Sequence, residues 1–137
     1  MVDVLAVFAR WLHIASVVTL IGGMLYASLV MAASAGILAK EAAETLLENA
    51  AARFRPLVWS AVIALILSGG YNLITTPGHS PRYKLLLAVK LLLVLHVFAA
   101  ALLAVRPKNP RRARQMTGAF LSGLIIILLS AYLRRIF

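Results

Sequence analysis

The feature that most constrains this chain is a set of four long apolar runs with almost no charge inside them. Each run is near or above the ~20 residues that an α-helix needs to cross the hydrocarbon layer of a membrane at ~1.5 Å per residue. The runs lie between Arg10 and Lys40, between Arg55 and Arg82, from Leu85 to Val105 with Lys90 inside, and between Arg114 and Arg134. Hydrophobic residues make up 63% of the 137 residues, more than a soluble core of this size requires, so a soluble globular fold is excluded.

These runs predict an all-α protein, an integral membrane four-helix bundle of up-down-up-down topology, because short connections leave no other order for the spans. We treat residues 1–137 as a single transmembrane domain with spans at approximately 5–33, 56–76, 83–105 and 115–134. Glutamates at three- and four-residue spacing (Glu41, Glu44 and Glu48) predict a charged helical stripe that extends the second helix beyond the membrane. Pro56 is expected to mark the start of the spanning part, and His79 to lie exposed in the turn after it.

The distribution of charge predicts which side of the membrane each loop occupies. The connections after spans 1 and 3 carry eight basic residues, and the other side carries four, with Arg10 and Lys90 left out as intramembrane residues. Because cytoplasmic loops are rich in Lys and Arg, both termini are expected on the periplasmic or exterior face of a bacterial-type inner (plasma) membrane. The formal charge of +10 fits basic loops against anionic lipid, so the expected partner is the bilayer and not nucleic acid.

Missing residue types narrow the chemistry further. Cysteine is absent, which removes disulfides, thiolate copper sites, iron–sulfur ligation and covalent haem attachment. The four acidic residues all lie outside the spans, which argues against a carboxylate-driven pump or transporter. Asp3 stands where a cleavable signal peptide would carry a basic residue, so the first helix is expected to be retained.

Two histidines inside the apolar runs, His13 and His96, are the leading site candidates, because an ionisable group at membrane depth is costly and is usually functional. In the predicted bundle, helices 1 and 3 face each other across the core, and the two imidazoles differ in depth by about three residues, ~4.5 Å. Helix tilt absorbs that difference, so both can ligate one haem b iron or one metal ion. Arg10, one turn from His13, is placed for a haem propionate, and Lys90 is a second candidate for a cofactor carboxylate.

Other interpretations remain open for the same residues. An intramembrane histidine can serve only as a hydrogen-bonding contact between helices, and Arg10 and Lys90 can simply extend towards the membrane surface. Met24 and Met31 lie on roughly the His13 face and would suit a copper pathway, although Met24 is about 16 Å from His13 along the helix. Core packing explains both methionines equally well.

Several short motifs resemble two related membrane-protein families. Arg10-Trp11-Leu12-His13 followed by Gly22-Gly23, and Arg53-Phe54-Arg55-Pro56 leading to Ser68-Gly69-Gly70-Tyr71, resemble the copper-resistance D (CopD) domain. The run from Tyr83-Lys84 through Lys90-Leu91 to His96 resembles helix 3 of the HemJ-type protoporphyrinogen oxidases, small four-helix membrane proteins. The HemJ-type resemblance implies a b-type haem, functional positions at His13 and Lys90, and electron transfer from a porphyrinogen towards the respiratory chain. The CopD resemblance implies copper uptake or tolerance.

The sequence therefore predicts a haem b-binding membrane redox protein, with His13 and His96 as iron ligands and Arg10 and Lys90 as cofactor-binding residues. Its partners would be a membrane-soluble donor and a respiratory-chain or quinone acceptor, and porphyrinogen oxidation would make it an enzyme. Copper transport with copper in place of haem is one alternative. An accessory structural subunit of a larger membrane complex is another. We also expect the chain to form a homo-oligomer or to join such a complex as a subunit.

Overall fold

A computed structural model describes residues 3–75, 78 and 80–136. The described part is helical and contains no strand, which confirms the all-α prediction. Four helices are each long and apolar enough to cross a membrane. They are α1 (Val4–Ala35), α2 (Lys40–Thr75), α3 (Pro81–Ala104) and α4 (Arg112–Ile136). Within α1, the segment Tyr26–Met31 is wound as a π-helix.

Local capping fixes where two of the helices begin. The Asp3 carboxylate accepts hydrogen bonds from the backbone N–H groups of Leu5 (3.1 Å) and Ala6 (3.3 Å), which would otherwise lack acceptors in the first turn. The Ser80 hydroxyl accepts from the Tyr83 N–H at 3.2 Å, and Pro81 occupies the first helical position, where its missing N–H costs nothing. α3 therefore starts at Pro81, two residues before the predicted span.

The acidic stripe does extend the second helix, as predicted, because α2 runs without a break from Lys40 to Thr75 over 36 residues. The helix passes through Pro56, so the proline does not start a helix but lies inside one. In the following turn Gly78 has a φ of 80°, a left-handed conformation that glycine adopts without steric cost. The prediction for His79 falls outside the described residues.

Contacts between neighbouring helices show how they run relative to one another. α1 and α2 are antiparallel, because His13 meets Ser68 near one end and Gly23 meets Phe54 near the other. α3 and α4 are also antiparallel, because Arg82 donates to the Tyr132 hydroxyl at 2.8 Å while the start of α4 meets the end of α3. The full up-down-up-down order stays a prediction with which these contacts agree. We call the end with both termini the terminal end, and the end with the 36–39 and 105–111 connections the basic end.

The packed core occupies the half of the bundle nearest the basic end. Its fully or almost fully buried members come from all four helices: Leu20, Met24, Val58, Ala61, Val62, Val97, Ala100, Ala101, Ala104, Val105, Met116 and Ala119. Five of these twelve residues are alanines, which let the helix backbones approach closely, as is typical of helix packing in lipid. Large apolar side chains instead cover the outer faces of the helices, as a hydrocarbon environment requires.

Two arginines cap the exposed carbonyls at the end of α3. Arg55 Nε donates to the Val105 carbonyl at 2.8 Å, and Arg112 Nε donates to the Ala104 carbonyl at 2.8 Å. Arg112 is buried and also donates to the Arg106 carbonyl at 2.7 Å. The last carbonyls of a helix lack intrahelical donors, and a positive charge there also suits the helix dipole.

Glu48 on the extension of α2 completes this cluster. Its carboxylate lies 2.9 Å from Arg112 Nη2 and accepts a hydrogen bond from the Lys108 backbone N–H at 3.2 Å. The Lys108 hydrogen bond, followed by the hydrogen bond and charge of Arg112, holds the pKa of the Glu48 carboxyl below its ordinary value. The acidic stripe is thus more than a solvated face, since one of its members ties α2 to the connection between α3 and α4.

Replacing Glu48→Gln should lower stability at neutral pH, and the difference from the native chain should shrink as the pH falls below ~5. The sign follows from the lowered pKa: the folded state binds fewer protons than the unfolded state, so the stabilisation is lost as the carboxyl becomes protonated. Unfolding in mixed micelles at several pH values measures this. Glu44→Gln, an exposed site one turn away, should change stability by no more than ~0.5 kcal/mol, and an equal effect at both sites would contradict the assignment.

Adjacent glycines in α1 should respond oppositely to the same substitution. A methyl group on Gly23 would collide with the Phe54 ring, whereas one on Gly22 would have nothing within 4 Å. We expect Gly23→Ala to destabilise by about 1–3 kcal/mol through overpacking and Gly22→Ala to be neutral or stabilising, since alanine favours helix. Thermal unfolding of the two variants in one detergent compares them, and a Gly22→Ala loss as large as that of Gly23→Ala would refute the α1–α2 packing.

Candidate functional site

His13 lies on the face of α1 that points into the bundle. It belongs to a stripe with Ala9, Ser16, Leu20 and Met24, whose three- and four-residue spacing places all five on one side of the helix. The other four are buried and His13 is half-buried. The imidazole is therefore directed at neighbouring helices and not at lipid.

A hydrogen bond to α2 defines the chemical state of this ring. His13 Nδ1 lies 3.0 Å from Ser68 Oγ, and Ser68 is 3% exposed. The Ser68 hydroxyl donates its one hydrogen to the Ala64 carbonyl at 2.7 Å, so its oxygen is left to accept from His13 Nδ1–H. In the neutral ring, Nε2 then carries the free lone pair. This is the arrangement of a metal-ligating histidine, whose other ring nitrogen donates to an orienting partner.

Lys90 of α3 is the charged residue whose electrostatic effect reaches His13. It shares the inward stripe of α3 with the buried residues Val97, Ala101 and Ala104 and is itself half-buried. Its ammonium lies within electrostatic range of the His13 ring. His13 and Lys90 each lie nine residues after the first residue of their helices, an equal depth of about 13.5 Å at ~1.5 Å per residue.

Lys90 forms no ion pair within residues 3–75, 78 and 80–136. The chain offers few candidates, because its four acidic residues are Asp3, Glu41, Glu44 and Glu48, all far along the chain from the middle of α3. A lysine at membrane depth without a protein counter-ion either stays neutral or is stabilised by an anionic partner from elsewhere. The site therefore suits a ligand that carries an anionic group.

His96 and Arg10 lie elsewhere. His96 is exposed. It precedes the buried Val97 by one residue, and one residue rotates a side chain by ~100° around the helix. It is also six residues deeper than Lys90, and no contact between His96 and His13 occurs among the described residues. Arg10 is exposed on α1 near the terminal end. Of the four predicted site residues, His13 and Lys90 lie on the inward stripes of their helices, and His96 and Arg10 are exposed on the outside of the bundle.

Two serines lie close to His13 along the helices or in contact with it. The sequence predicts Ser68 only as part of helix packing and does not single out Ser16. Ser68 orients His13, and Ser16, one turn from His13, is 6% exposed with a hydroxyl that makes no hydrogen bond within the described part of the chain. A hydroxyl in an apolar run was the available signal for both. The described residues contain no group of three or more His, Cys, Asp or Glu side chains able to hold a metal ion. An ion here would have to bring most of its ligands with it.

No protein-family model, curated protein or solved structure matches the chain. The geometry around His13 is therefore the guide to function.

Replacing Ser68→Ala should leave the His13 N–H without its acceptor and cost about 1–3 kcal/mol of stability. Without that acceptor, the neutral His13 ring should also populate the tautomer with its proton on Nε2. ¹⁵N NMR of the imidazole nitrogens detects this change directly. Ser60→Ala is the matched control, because Ser60 is exposed on the same helix and makes the same type of bond, to the Pro56 carbonyl at 2.7 Å. An unchanged His13 tautomer in the Ser68 variant would refute the assignment.

Proposed function

We propose that the protein is an integral membrane redox protein that binds one haem b, with His13 as an axial ligand to the iron. The observation that carries this proposal is the hydrogen bond between His13 Nδ1 and Ser68 Oγ, which leaves Nε2 as the ring nitrogen with the available lone pair. An imidazole held in this way has lost most of its rotational freedom before any ligand arrives. Binding of a ligand then costs less side-chain conformational entropy at His13, and that cost would otherwise weaken the affinity.

Lys90 supplies the second half of the recognition. A haem carries both an iron that accepts the Nε2 lone pair and carboxylates that need countercharge, so one molecule satisfies His13 and Lys90 together. Arg10, three residues nearer the terminal end than His13, would supply countercharge for a second carboxylate. Because the chain has no cysteine, attachment would be non-covalent, as in a b-type haem.

Haem would supply one-electron chemistry, and the protein's own residues would tune and shield it. Ser68 sets the orientation and basicity of the His13 ring, Lys90 places a positive charge beside it, and the surrounding aliphatic side chains lower the local dielectric. The work would be electron transfer between a membrane-soluble donor and a respiratory-chain or quinone partner. Porphyrinogen oxidation is the specific reaction that the HemJ-type resemblance implies.

Copper transport is less well supported by the positions of the methionines. Met24 is completely buried in the packed core, and Met31 lines a cavity of about 170 Å³ near the basic end. Neither contacts His13 among the described residues, so these side chains do not form a continuous row of ligands. A purely accessory role would leave His13 Nε2 and the Lys90 ammonium unexplained, since neither has a hydrogen-bond or ion-pair partner among the described residues.

Optical spectroscopy of protein purified with added haem tests the proposal. The native chain should give a Soret band with reducible α and β bands, and His13→Ala should abolish them. Lys90→Gln should weaken haem binding by roughly 10- to 100-fold, the effect of removing a charged hydrogen bond of about 1.5–3 kcal/mol.

His96→Ala separates two arrangements of the ligands. If His13 is an iron ligand and His96 is not, the His96→Ala variant keeps its haem and an unchanged spectrum. If the two histidines ligate the iron together, it changes from six- to five-coordinate. Colourless protein with stoichiometric copper would support transport instead, and protein that binds neither haem nor copper would overturn the redox proposal.

A further inference from the structure

One face of α3 carries a continuous row of exposed side chains at alternating four- and three-residue spacing. The row consists of Leu85, Val89, Leu92, His96, Ala99 and Leu103, all exposed. It is separate from the inward stripe, since Lys90 lies about 120° away from His96 around the helix. We call this row the α3 seam.

The spacing of the α3 seam is that of a two-stranded coiled coil. Val89, His96 and Leu103 fall at one core position of the heptad, and Leu85, Leu92 and Ala99 fall at the other. A β-branched residue at the first position with leucine at the second favours a parallel pair, and a single polar residue at the first position specifies register. In the seam, Val89 is the β-branched residue at the first position, Leu85 and Leu92 are the leucines at the second, and His96 is the single polar residue at the first.

His96 makes this face unsuited to lipid. Its imidazole lies at membrane depth, fifteen residues after Pro81 and eight before Ala104, and makes no hydrogen bond among the described residues. Hydrocarbon offers no hydrogen-bonding partner, so an exposed imidazole there is costly. A covering surface must both pack against leucines and hydrogen-bond to a histidine.

We propose that two copies of this chain associate in the membrane through the α3 seam, with His96 of each copy hydrogen-bonded to His96 of the other. A neutral imidazole has one donor and one acceptor nitrogen, so two of them are self-complementary across a two-fold axis. Because each copy is inserted with the same orientation, the two α3 helices run parallel, as the seam pattern requires. This pairing is independent of the proposed haem site, which uses the opposite flank of α3.

Disulfide trapping tests the pairing cleanly, because the chain has no cysteine. Leu92→Cys and Ala99→Cys place a thiol on the seam, and Leu91→Cys places one at a similar depth on an exposed position about 120° from its centre. The purified full chain, reconstituted in phosphatidylcholine vesicles at high lipid excess, is oxidised mildly and run on non-reducing gels. The seam variants should form covalent dimers and Leu91→Cys should remain monomeric. Equal trapping at all three sites, or none at the seam, overturns the proposal.

The role of His96 is tested in the Ala99→Cys background. His96→Leu removes the hydrogen bond but keeps an apolar side chain, and it should weaken dimerisation by roughly 3- to 30-fold, the effect of an interhelical hydrogen bond of about 0.6–2 kcal/mol. His96→Asn restores a donor and an acceptor and should recover most of the trapping. Circular dichroism confirms that each variant is folded. Undiminished dimerisation of the folded His96→Leu variant would exclude the histidine pair.

Discussion

Hydrocarbon offers no hydrogen bonds, and the arrangement of polar groups in this protein follows from that constraint. At the basic end, Arg55 and Arg112 occupy the last carbonyls of α3, and Glu48 neutralises Arg112. In the terminal half, Ser68 serves at once as donor to its own helix and acceptor for His13. Within the described part of the spans, Lys90 and His96 make no hydrogen bond or ion pair, and each suits a partner from outside the chain.

The packed core and the candidate site occupy different halves of the bundle. Small residues bring the helices together in the half near the basic end, where the arginine cluster also joins α2 to α3 and α4. The terminal half contains fewer buried side chains, and two of these, Ser16 and Ser68, are polar. Rigidity at one end thus supports a less tightly filled, more polar region at the other, which is the arrangement that a buried cofactor site needs.

The existence of four helices could be predicted from the sequence because length and hydropathy alone decide what crosses a membrane. The extension of α2 could also be predicted from the sequence, since the three- and four-residue spacing of the glutamates places them on one face of a helix. Which of His96 and Lys90 lies on the inward side of α3 could not be predicted, because that depends on the rotation of the helix. The buried residues Val97, Ala101 and Ala104 mark the inward side, and a depth estimate contains no information about it. Depths counted along the helices from Arg10 and Lys90 predict that His96 lies nearly level with His13. In the structure, however, His96 lies on another side of α3 from the inward stripe.

The π-helical segment Tyr26–Met31 has a consequence for comparing this chain with any relative. A π turn holds one residue more than an α turn, so it absorbs an inserted residue without rotating the flanking helix by the ~100° that an insertion otherwise imposes. A related sequence with a regular α-helix here would be one residue shorter between Leu25 and Ala32 and still present the same faces on both sides. Alignments of such relatives should therefore place a single-residue gap within this segment, and an ungapped alignment would assign every later residue of α1 to the wrong face.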